Sequence, residues 1–318
     1  QTVGKLRVLL PKMSVDAICA LFGKTRQAYY QRLGYQYQEA AEESIILDLI
    51  AELRKDMGRM GGRKLWHEIN EAHPKMISRD KLFDILDKYH LKVHRRKRTV
   101  RTTWSESWLH RFPNLVKDLI LTAANQVWVS DITYIETETG FVYLHLVTDA
   151  YSKKIMGWCL SPSLHADATI SALQMAIRNT GCDLKGLIHH SDRGCQYCCE
   201  KYVKLLQNNG IEISMTQDGD PRDNAIAERL NGILKTEWLY DDHFIGFDDA
   251  YRRVAEVINL YNNKRPHLSL NYKTPAEAHL ETGEQKRVWK NYYKGNNPEE
   301  VAKVISDLTS GCRISAAY

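Results

Sequence analysis

The first hundred residues place their hydrophobic side chains at the spacing of α-helices. Residues 13–33 carry two such runs on either side of Gly23, with Ser14 and Thr25 positioned to cap one helix each. Glycine can supply the tight turn between them. Two short helices joined in this way predict a helix-turn-helix unit.

A second helical pattern follows. Isoleucine and leucine recur at helical spacing in residues 41–56, and the pattern restarts after the glycines within residues 60–70. Ser78 is positioned to cap a further helix that runs to about Tyr89. These runs predict a second all-helical unit.

From residue 127 onward the pattern changes to β-branched and aromatic runs. Three strands with very short turns between them predict an antiparallel meander, and helices then alternate with strands. The predicted strands are 127–136, 141–150, 154–161, 185–192 and 211–216, and the predicted helices are 165–180, 195–210 and 223–239. This order is that of a ribonuclease-H-like α/β fold with a mixed five-stranded sheet, preceded by all-α domains.

The changes of pattern also predict the domain boundaries. We expect five segments: a helix-turn-helix domain (1–40), a second helical domain (41–98), a linker (99–124), an α/β core (125–283) and a C-terminal helical tail (284–318).

Charge is distributed unevenly between the two halves. Residues 1–124 hold 23 Lys and Arg against 14 Asp and Glu, a net +9, whereas residues 125–318 have a net −4. A basic helical front favours binding of a polyanion, and a helix-turn-helix suits the major groove of DNA. The side chains expected to contact DNA there are Arg26, Gln27, Tyr30, Arg95, Arg96, Lys97 and Arg98.

Hydrophobic content and cysteine count indicate in which cellular compartment the protein works. The chain has 318 residues, 43% of them hydrophobic, but no apolar run of the roughly 20 residues that a membrane span needs. Its seven cysteines are an odd number without a regular framework, which favours a reducing compartment. We therefore expect a soluble, cytoplasmic protein with no membrane partner.

Three carboxylates stand out by where the predicted elements place them. Asp131 lies inside the first strand, Asp192 at the carboxyl end of the fourth, and Glu228 in the last helix of the predicted core. Ligands gather at the carboxyl ends of strands in open α/β sheets, so the three converge if the first and fourth strands are neighbours. Divalent cations would neutralise their mutual repulsion, and oxygen ligands suit magnesium or manganese.

The stretch IHHSDRGCQYCC at residues 188–199 offers two alternatives. A zinc site would need His189 and His190 to share an ion, but adjacent side chains on a strand point to opposite faces. The cysteines lack paired CxxC spacing, and no neighbouring base is singled out for a thiol nucleophile. In this stretch we therefore assign the chemistry to Asp192 alone, and we assign Asp149, at the end of the second strand, to a turn.

The segments around the three acids resemble a known family. Thirty-five residues separate Asp192 from Glu228, and the flanking segments are WVSDITYIET, HHSDRGCQY and DNAIAERLNGILKTE. Together with INLYNNKRPHLSLNYKTPAEA at residues 258–278, they are similar to bacterial insertion-sequence transposases of the IS-three type, second reading frame. The core of that family is like that of retroviral integrases, and the resemblance extends over most of the chain.

This resemblance implies a DDE transposase that cleaves DNA 3′ ends and transfers the strands. Its catalytic and metal-binding acids would be Asp131, Asp192 and Glu228, holding two magnesium or manganese ions for in-line displacement at phosphorus. Asn224, Asn231 and Lys235 share the helix face of Glu228 and are expected to contact DNA. The loop residues Pro221 and Arg222 depart from the family pattern, which could alter recognition of the element ends.

The resemblance also implies the partners. Double-stranded DNA would be bound at the terminal inverted repeats and at the target, and pairing two ends requires at least a homodimer. Two other functions remain open. A transposition repressor with an inactive core is disfavoured by the three intact acids, and a nuclease for RNA–DNA hybrids is disfavoured by the helical units in front.

Overall fold

The front of the chain is helical in the computed structural model, which describes residues 2–94, 112–117, 119–217 and 224–285. The side chains of Ser14 and Thr25 accept hydrogen bonds from the backbone N–H groups of Ala17 and Ala28, as predicted for N-caps. Gly23, with φ of 64°, makes the turn between the capped helices. The front helices are α1 (Thr2–Leu9), α2 (Val15–Ala20), α3 (Arg26–Asp56), α4 (Gly62–Ala72) and α5 (Arg79–Lys88).

Helix α3 corrects the predicted boundary at residue 40. It runs without interruption for 31 residues, so the second helix of the helix-turn-helix is also the first helix of the following unit. The segment 34–44, GYQYQEAAEES, contains no proline and is rich in alanine, glutamine and glutamate. These residues favour helix propagation, and a helix that has begun continues where nothing breaks it.

The back half contains the expected mixed sheet, which confirms the prediction of a ribonuclease-H-like core. The strand order is β3-β2-β1-β4-β5. The pairs β1–β2 and β2–β3 are antiparallel, whereas β1–β4 and β4–β5 are parallel. The strands are β1 (Val127–Thr137), β2 (Gly140–Asp149), β3 (Ile155–Ser161), β4 (Ile188–Ser191) and β5 (Glu212–Met215).

The core helices lie where they were predicted, with two differences. The predicted helix 195–210 is interrupted at Cys199, whose φ of −70° and ψ of 143° are extended. The predicted helix 223–239 changes from α to π geometry after Leu234. The core helices are α6 (Ala166–Thr180), α7 (Cys195–Cys198), α8 (Glu200–Asn208), α9 (Ala225–Leu234), the π-helical turn Lys235–Leu239, α10 (Phe247–Asn263) and α11 (Pro275–Ala278).

Gly157 permits the close packing of β3 against α6. A Cβ atom at this position would lie 2.1 Å from the carbonyl oxygen of Ala172 and 2.6 Å from the backbone nitrogen of Ala176. Both are backbone atoms and cannot move without displacing the helix. The glycine therefore sets the distance between the sheet and the helix that covers it.

The second helical unit packs directly on the core. The indole N–H of Trp238 donates to the carbonyl of Asp56 at 3.0 Å, and the Lys264 ammonium lies 2.8 Å from the Asp56 carboxylate. Buried side chains of α3, α4 and α5 also join those of β1, β2 and α10 in one hydrophobic cluster. The helical unit is thus a fixed neighbour of the sheet.

The segment predicted as a linker also contacts the core where the structure describes it. The backbone N–H of Leu115 donates to the Ser214 hydroxyl at 2.9 Å, and that of Met215 donates to the carbonyl of Pro113 at 3.3 Å. The predicted boundary at residue 124 therefore lies inside packed structure. No helix within the described ranges is long and apolar enough to span a bilayer.

Candidate active site

Asp131 and Asp192 lie side by side at the carboxyl end of the parallel pair β1–β4. The register aligns Ser130 with Ser191, and each aspartate is the next residue on its strand. Neighbouring strands are about 4.8 Å apart. The adjacency of the first and fourth strands, on which the predicted convergence of the acids depended, is therefore present.

The environment of this pair favours the neutral form of the carboxyls. Burial, followed by the charge of Asp192, raises the pKa of Asp131 to about 7, and burial raises the pKa of Asp192. Asp131 accepts hydrogen bonds from the Ile132 backbone N–H at 2.9 Å and from Asn231, and Asp192 accepts one from the Gly194 N–H at 3.0 Å. The carboxylates are held in place, while their mutual repulsion is offset only in part.

Glu228 lies close to this pair but does not complete a ligand set. It is exposed in the first turn of α9, and its charge makes a smaller contribution to the raised pKa of Asp131. It also lines a cleft of about 580 Å³, together with Arg59 and His94. Within the part of the chain that the structure describes, no three His, Cys, Asp or Glu side chains converge as metal ligands would.

Asn224 and Asn231 have a different location from the one predicted for DNA contacts. Each is only 7% exposed. The Asn231 amide donates to Asp131 Oδ2 at 2.7 Å, and the Asn224 amide donates to the carbonyl of Ser130 at 3.3 Å. Because packing of α9 on β1 turns these amides inward, they support the acidic pair and are not presented to a phosphate.

Lys235 is not a freely solvated lysine. Its ammonium lies 4.0 Å from the centroid of the Tyr134 ring. Burial lowers the pKa of Lys235 to about 8, while the charge of Asp131 acts in the opposite direction. The cation therefore lies between the acidic pair and an aromatic surface.

The two histidines of β4 have separate partners, as their predicted opposite faces require. His189 Nε2 lies 2.8 Å from the Ser130 hydroxyl and 2.9 Å from the Tyr202 hydroxyl, and His190 Nδ1 lies 2.8 Å from the Ser214 hydroxyl. Burial lowers the pKa of His189 to about 3. Both rings belong to hydrogen-bonded packing below the acids.

Asp149 holds the turn to which it was assigned. Its buried carboxylate accepts hydrogen bonds from the backbone N–H groups of Asn125 and Ser152, each at 2.7 Å, and from the Ser152 hydroxyl, also at 2.7 Å. Its acceptor positions are therefore engaged by the backbone that it orders.

The front residues expected to contact DNA are on the surface where they are described. Arg26, Gln27 and Tyr30 are exposed at the start of α3, with Arg26 3.6 Å from Asp16 and 5.7 Å from the centre of the Tyr30 ring. The expected contacts Arg95, Arg96, Lys97 and Arg98, the loop residues Pro221 and Arg222, and the tail from residue 286 lie outside the described residues.

The sequence did not predict a charged cluster behind the acidic site. Glu237, in the π-helical turn, accepts two hydrogen bonds from Arg265 at 2.7 and 2.6 Å, and its carboxylate lies 3.3 Å from the Lys64 ammonium. The Arg265 side chain is only 5% exposed. One acid thus joins α4 of the second helical unit, the π-helical turn after α9 and the segment after α10.

Comparison with known families gives a match for the part of the chain that holds the sheet and α9. Two segments match the family described as Integrase core domain, residues 122–221 and residues 209–275. The first includes Asp131 and Asp192, and the second includes Glu228.

Similar proteins come from bacterial insertion sequences. The chain is 32% identical over 263 residues to an insertion element IS600 uncharacterized 31 kDa protein of Shigella sonnei, covering 81% of this chain and 96% of that protein. It is 32% identical to a putative transposase for insertion sequence element IS986/IS6110 of Mycobacterium tuberculosis, covering 65% of this chain and 77% of the relative. The HTLV-2 integrase catalytic core domain matches with a TM-score of 0.40 at 21% identity, covering 49% of this chain and 97% of that chain.

Proposed function

The chain belongs to the insertion-sequence transposases that carry an integrase core domain, and from this premise we propose that it nicks the 3′ ends of its element and joins them to target DNA. As a member of this family it is a polynucleotidyl transferase that acts on DNA. The observation that carries the proposed chemistry is the position of Asp131 and Asp192 directly after Ser130 and Ser191, the last paired residues of the adjacent parallel strands β1 and β4.

The proposed catalytic and metal-binding acids are Asp131, Asp192 and Glu228. The first two fit a divalent cation because they are hard oxygen donors whose raised pKa values reflect a charge that the protein leaves uncompensated. Glu228 lies in the first turn of α9 near this pair, and we propose that it turns toward the two aspartates to supply the third donor when a cation is bound. Two magnesium or manganese ions, when bound, would activate the attacking oxygen and stabilise the leaving 3′ oxygen.

Both proposed steps are substitutions at phosphorus. In the first, a water molecule loses a proton as its oxygen bonds to phosphorus, the bond from phosphorus to the 3′ oxygen breaks, and that 3′ oxygen takes up a proton. In the second, the freed 3′-OH loses its proton as its oxygen bonds to a phosphorus of the target strand, and the 3′ oxygen displaced there takes up a proton. Asn231 orients Asp131 and the Gly194 N–H orients Asp192 throughout.

The proposed DNA contacts extend beyond the acids. Arg26, Gln27 and Tyr30 present a cationic and aromatic surface at the start of α3, and the basic run 95–98 follows the second helical unit in the sequence. We propose that they hold the terminal inverted repeats. Since two ends must be paired, the working form would contain at least two copies of the chain.

A strand-joining assay tests this function. Labelled duplexes that carry the element's ends are incubated with the protein in magnesium or in EDTA, and nicked and joined products are separated by size. We expect products only in magnesium. Glu228→Gln should bind the duplexes with unchanged affinity but give no products.

Glu212→Gln is the matched control, because Glu212 is also exposed and lies at the start of β5. It should nick and join like the wild type. Normal cleavage by Glu228→Gln would overturn the assignment of the acids. Binding without chemistry by the wild type would favour a repressor, and cleavage of RNA–DNA hybrids without joining would favour a nuclease.

A further inference from the structure

Two aromatic rings lie exposed on the sheet close to the acidic pair. Tyr134, three residues after Asp131 on β1, is 41% exposed, and Phe141 on the neighbouring β2 is 43% exposed. Their ring centroids are 5.3 Å apart and the rings are nearly perpendicular, at 81°. Large aromatic side chains that remain together on a surface are typical of an interaction site.

The edge of β1 next to the aromatic rings is not covered by a neighbouring strand within the described ranges. Pairing of β1 with β4 ends at Ser130 and Ser191, so the following residues of β1 have no strand on that side within the described ranges. Three residues of strand separate Asp131 from Tyr134, a distance of about 10 Å, and because side chains alternate between the faces of a sheet the Tyr134 ring lies on the face opposite the Asp131 carboxylate. At the open edge of β1, Lys235 is close to both, with its ammonium against the Tyr134 ring and its charge within range of Asp131. A DNA strand that passes over this edge from the acids places a flanking nucleotide against the rings.

Lys235 connects the aromatic pair to the acids. Its ammonium lies 4.0 Å from the centroid of the Tyr134 ring and within electrostatic range of Asp131. A fixed cation next to two exposed rings has the chemistry of a nucleotide site, because the cation suits a phosphate and the rings suit a base. An apolar protein partner would use the rings but would leave the cation without a counter-charge.

Only an unpaired base can use the rings fully. Within a duplex, both faces of each base are covered by its neighbours, whereas a base at a frayed end has a face free for stacking. We propose that Tyr134, Phe141 and Lys235 form a stacking site for an unpaired base next to the phosphate held at Asp131 and Asp192. This inference rests on the proposed function, since it takes the acids as the place where the scissile phosphate lies.

The test compares two duplexes of the element's end that differ only in their last three base pairs, paired in one and mismatched in the other. Dissociation constants are measured by fluorescence anisotropy in EDTA, so that no chemistry occurs. The wild type is expected to bind the mismatched end about tenfold more tightly, the size of one base–aromatic stack. Tyr134→Leu should lose this preference and keep its affinity for the paired duplex.

Two variants separate stacking from a general disturbance. Tyr134→Phe keeps a ring and should keep the preference. Tyr251→Leu removes a tyrosine of similar exposure, 45%, which packs against Trp158 of β3 and should not affect the preference. A 2-aminopurine at the mismatched position should be quenched by the wild type and by Tyr134→Phe, but not by Tyr134→Leu.

An equal preference in Tyr134→Leu and the wild type would overturn the stacking site, as would a wild type without preference. A Tyr134→Leu protein that changes its oligomeric mass in light scattering while keeping the preference would assign the rings to contact between copies, which also overturns the proposal. Nicking in magnesium is measured separately, so the two proposals can fail independently. If the wild type nicks DNA but does not prefer unpaired ends, the proposed function stands and the stacking site is overturned. If the wild type prefers unpaired ends through Tyr134 but cannot nick DNA, the stacking site stands and the proposed chemistry is overturned.

Discussion

The Asn231 side-chain amide donates a 2.7 Å hydrogen bond to Oδ2 of Asp131, across a distance of 100 residues in the sequence. One amide on α9 thus orients the carboxylate in the middle of β1. Because Asn231 is three residues after Glu228 on the same helix, any shift of α9 changes the positions of both acids together. The hydrogen bond therefore couples the geometry of the strand to that of the helix.

Asn231→Ala should lower the nicking rate by about 10- to 100-fold, the usual effect of removing an outer-sphere partner of a metal ligand. The magnesium concentration that gives half-maximal activity should rise, since Asp131 would no longer be held for binding. A purely structural role would lower the amount of active protein without changing that concentration. Asn259→Ala, on the exposed face of α10, is the control and should match the wild type.

Glu237→Gln should lower the free energy of unfolding by about 3 kcal/mol, because it leaves Arg265 and Lys64 as buried cations without their counter-charge. Urea unfolding followed by tryptophan fluorescence measures this loss. Glu256→Gln, whose side chain is 58% exposed in its pair with Arg253, should change the midpoint very little. Equal midpoints for the two variants would show that the buried cluster does not stabilise the docking of the helical unit.

Gly157→Ala should lower the free energy of unfolding by about 1–3 kcal/mol, because the methyl group of the alanine would overlap the backbone of α6. Gly34→Ala is the matched substitution. Gly34 lies within α3, where a Cβ atom meets nothing within 4 Å, so alanine should raise stability by up to about 1 kcal/mol. Thermal unfolding of the two variants should therefore shift in opposite directions, and a stabilised Gly157→Ala would contradict the close contact.

Acid should destabilise the fold through His145. This buried ring, 2.8 Å from the Thr169 hydroxyl, has its pKa lowered by burial from 6.5 to about 4. As pH falls between these values the unfolded chain takes up a proton that the folded chain does not, so stability falls as pH falls. Between pH 7 and pH 4 the wild type should lose on the order of 2 kcal/mol more than His145→Asn.

Urea unfolding at pH 7, 5.5 and 4 measures this difference. His243→Asn is the control, since its side chain is 80% exposed, and it should follow the wild-type pH dependence. If His145→Asn also shows the full wild-type loss, the acid sensitivity belongs to other groups.

The predictions that succeeded depend on local signals. The caps at Ser14, Thr25 and Ser78 are formed because each is a hydroxyl residue that accepts from the backbone three residues later. The five strands follow runs of β-branched and aromatic residues, and the turn at Gly140 lies between the first two. Such signals are contained within a few residues, so they can be recognised without knowledge of the fold.

The predictions that failed depend on what a segment packs against. Asn231 shares a helix face with Glu228, which indicated a surface contact, but packing against β1 turned that face inward at this point. The boundary at residue 40 was placed where one helical pattern gives way to the next, but α3 runs through it without interruption. Two successive helical patterns do not show whether the chain breaks between them.

The sequence by itself determined the order of the elements and the caps, and it singled out Asp131, Asp192 and Glu228 as the proposed acids, because periodicity, turn chemistry and motif spacing are properties of neighbouring residues. Only the tertiary structure decided that β1 and β4 are adjacent and that Asp131 and Asp192 lie side by side. It also decided that Glu237 contacts both Arg265 and Lys64, the second of which lies 173 residues before Glu237 in the chain. Contacts between distant residues form when whole helices and strands pack to bury apolar surface. No single segment of the sequence determines the geometry of that packing.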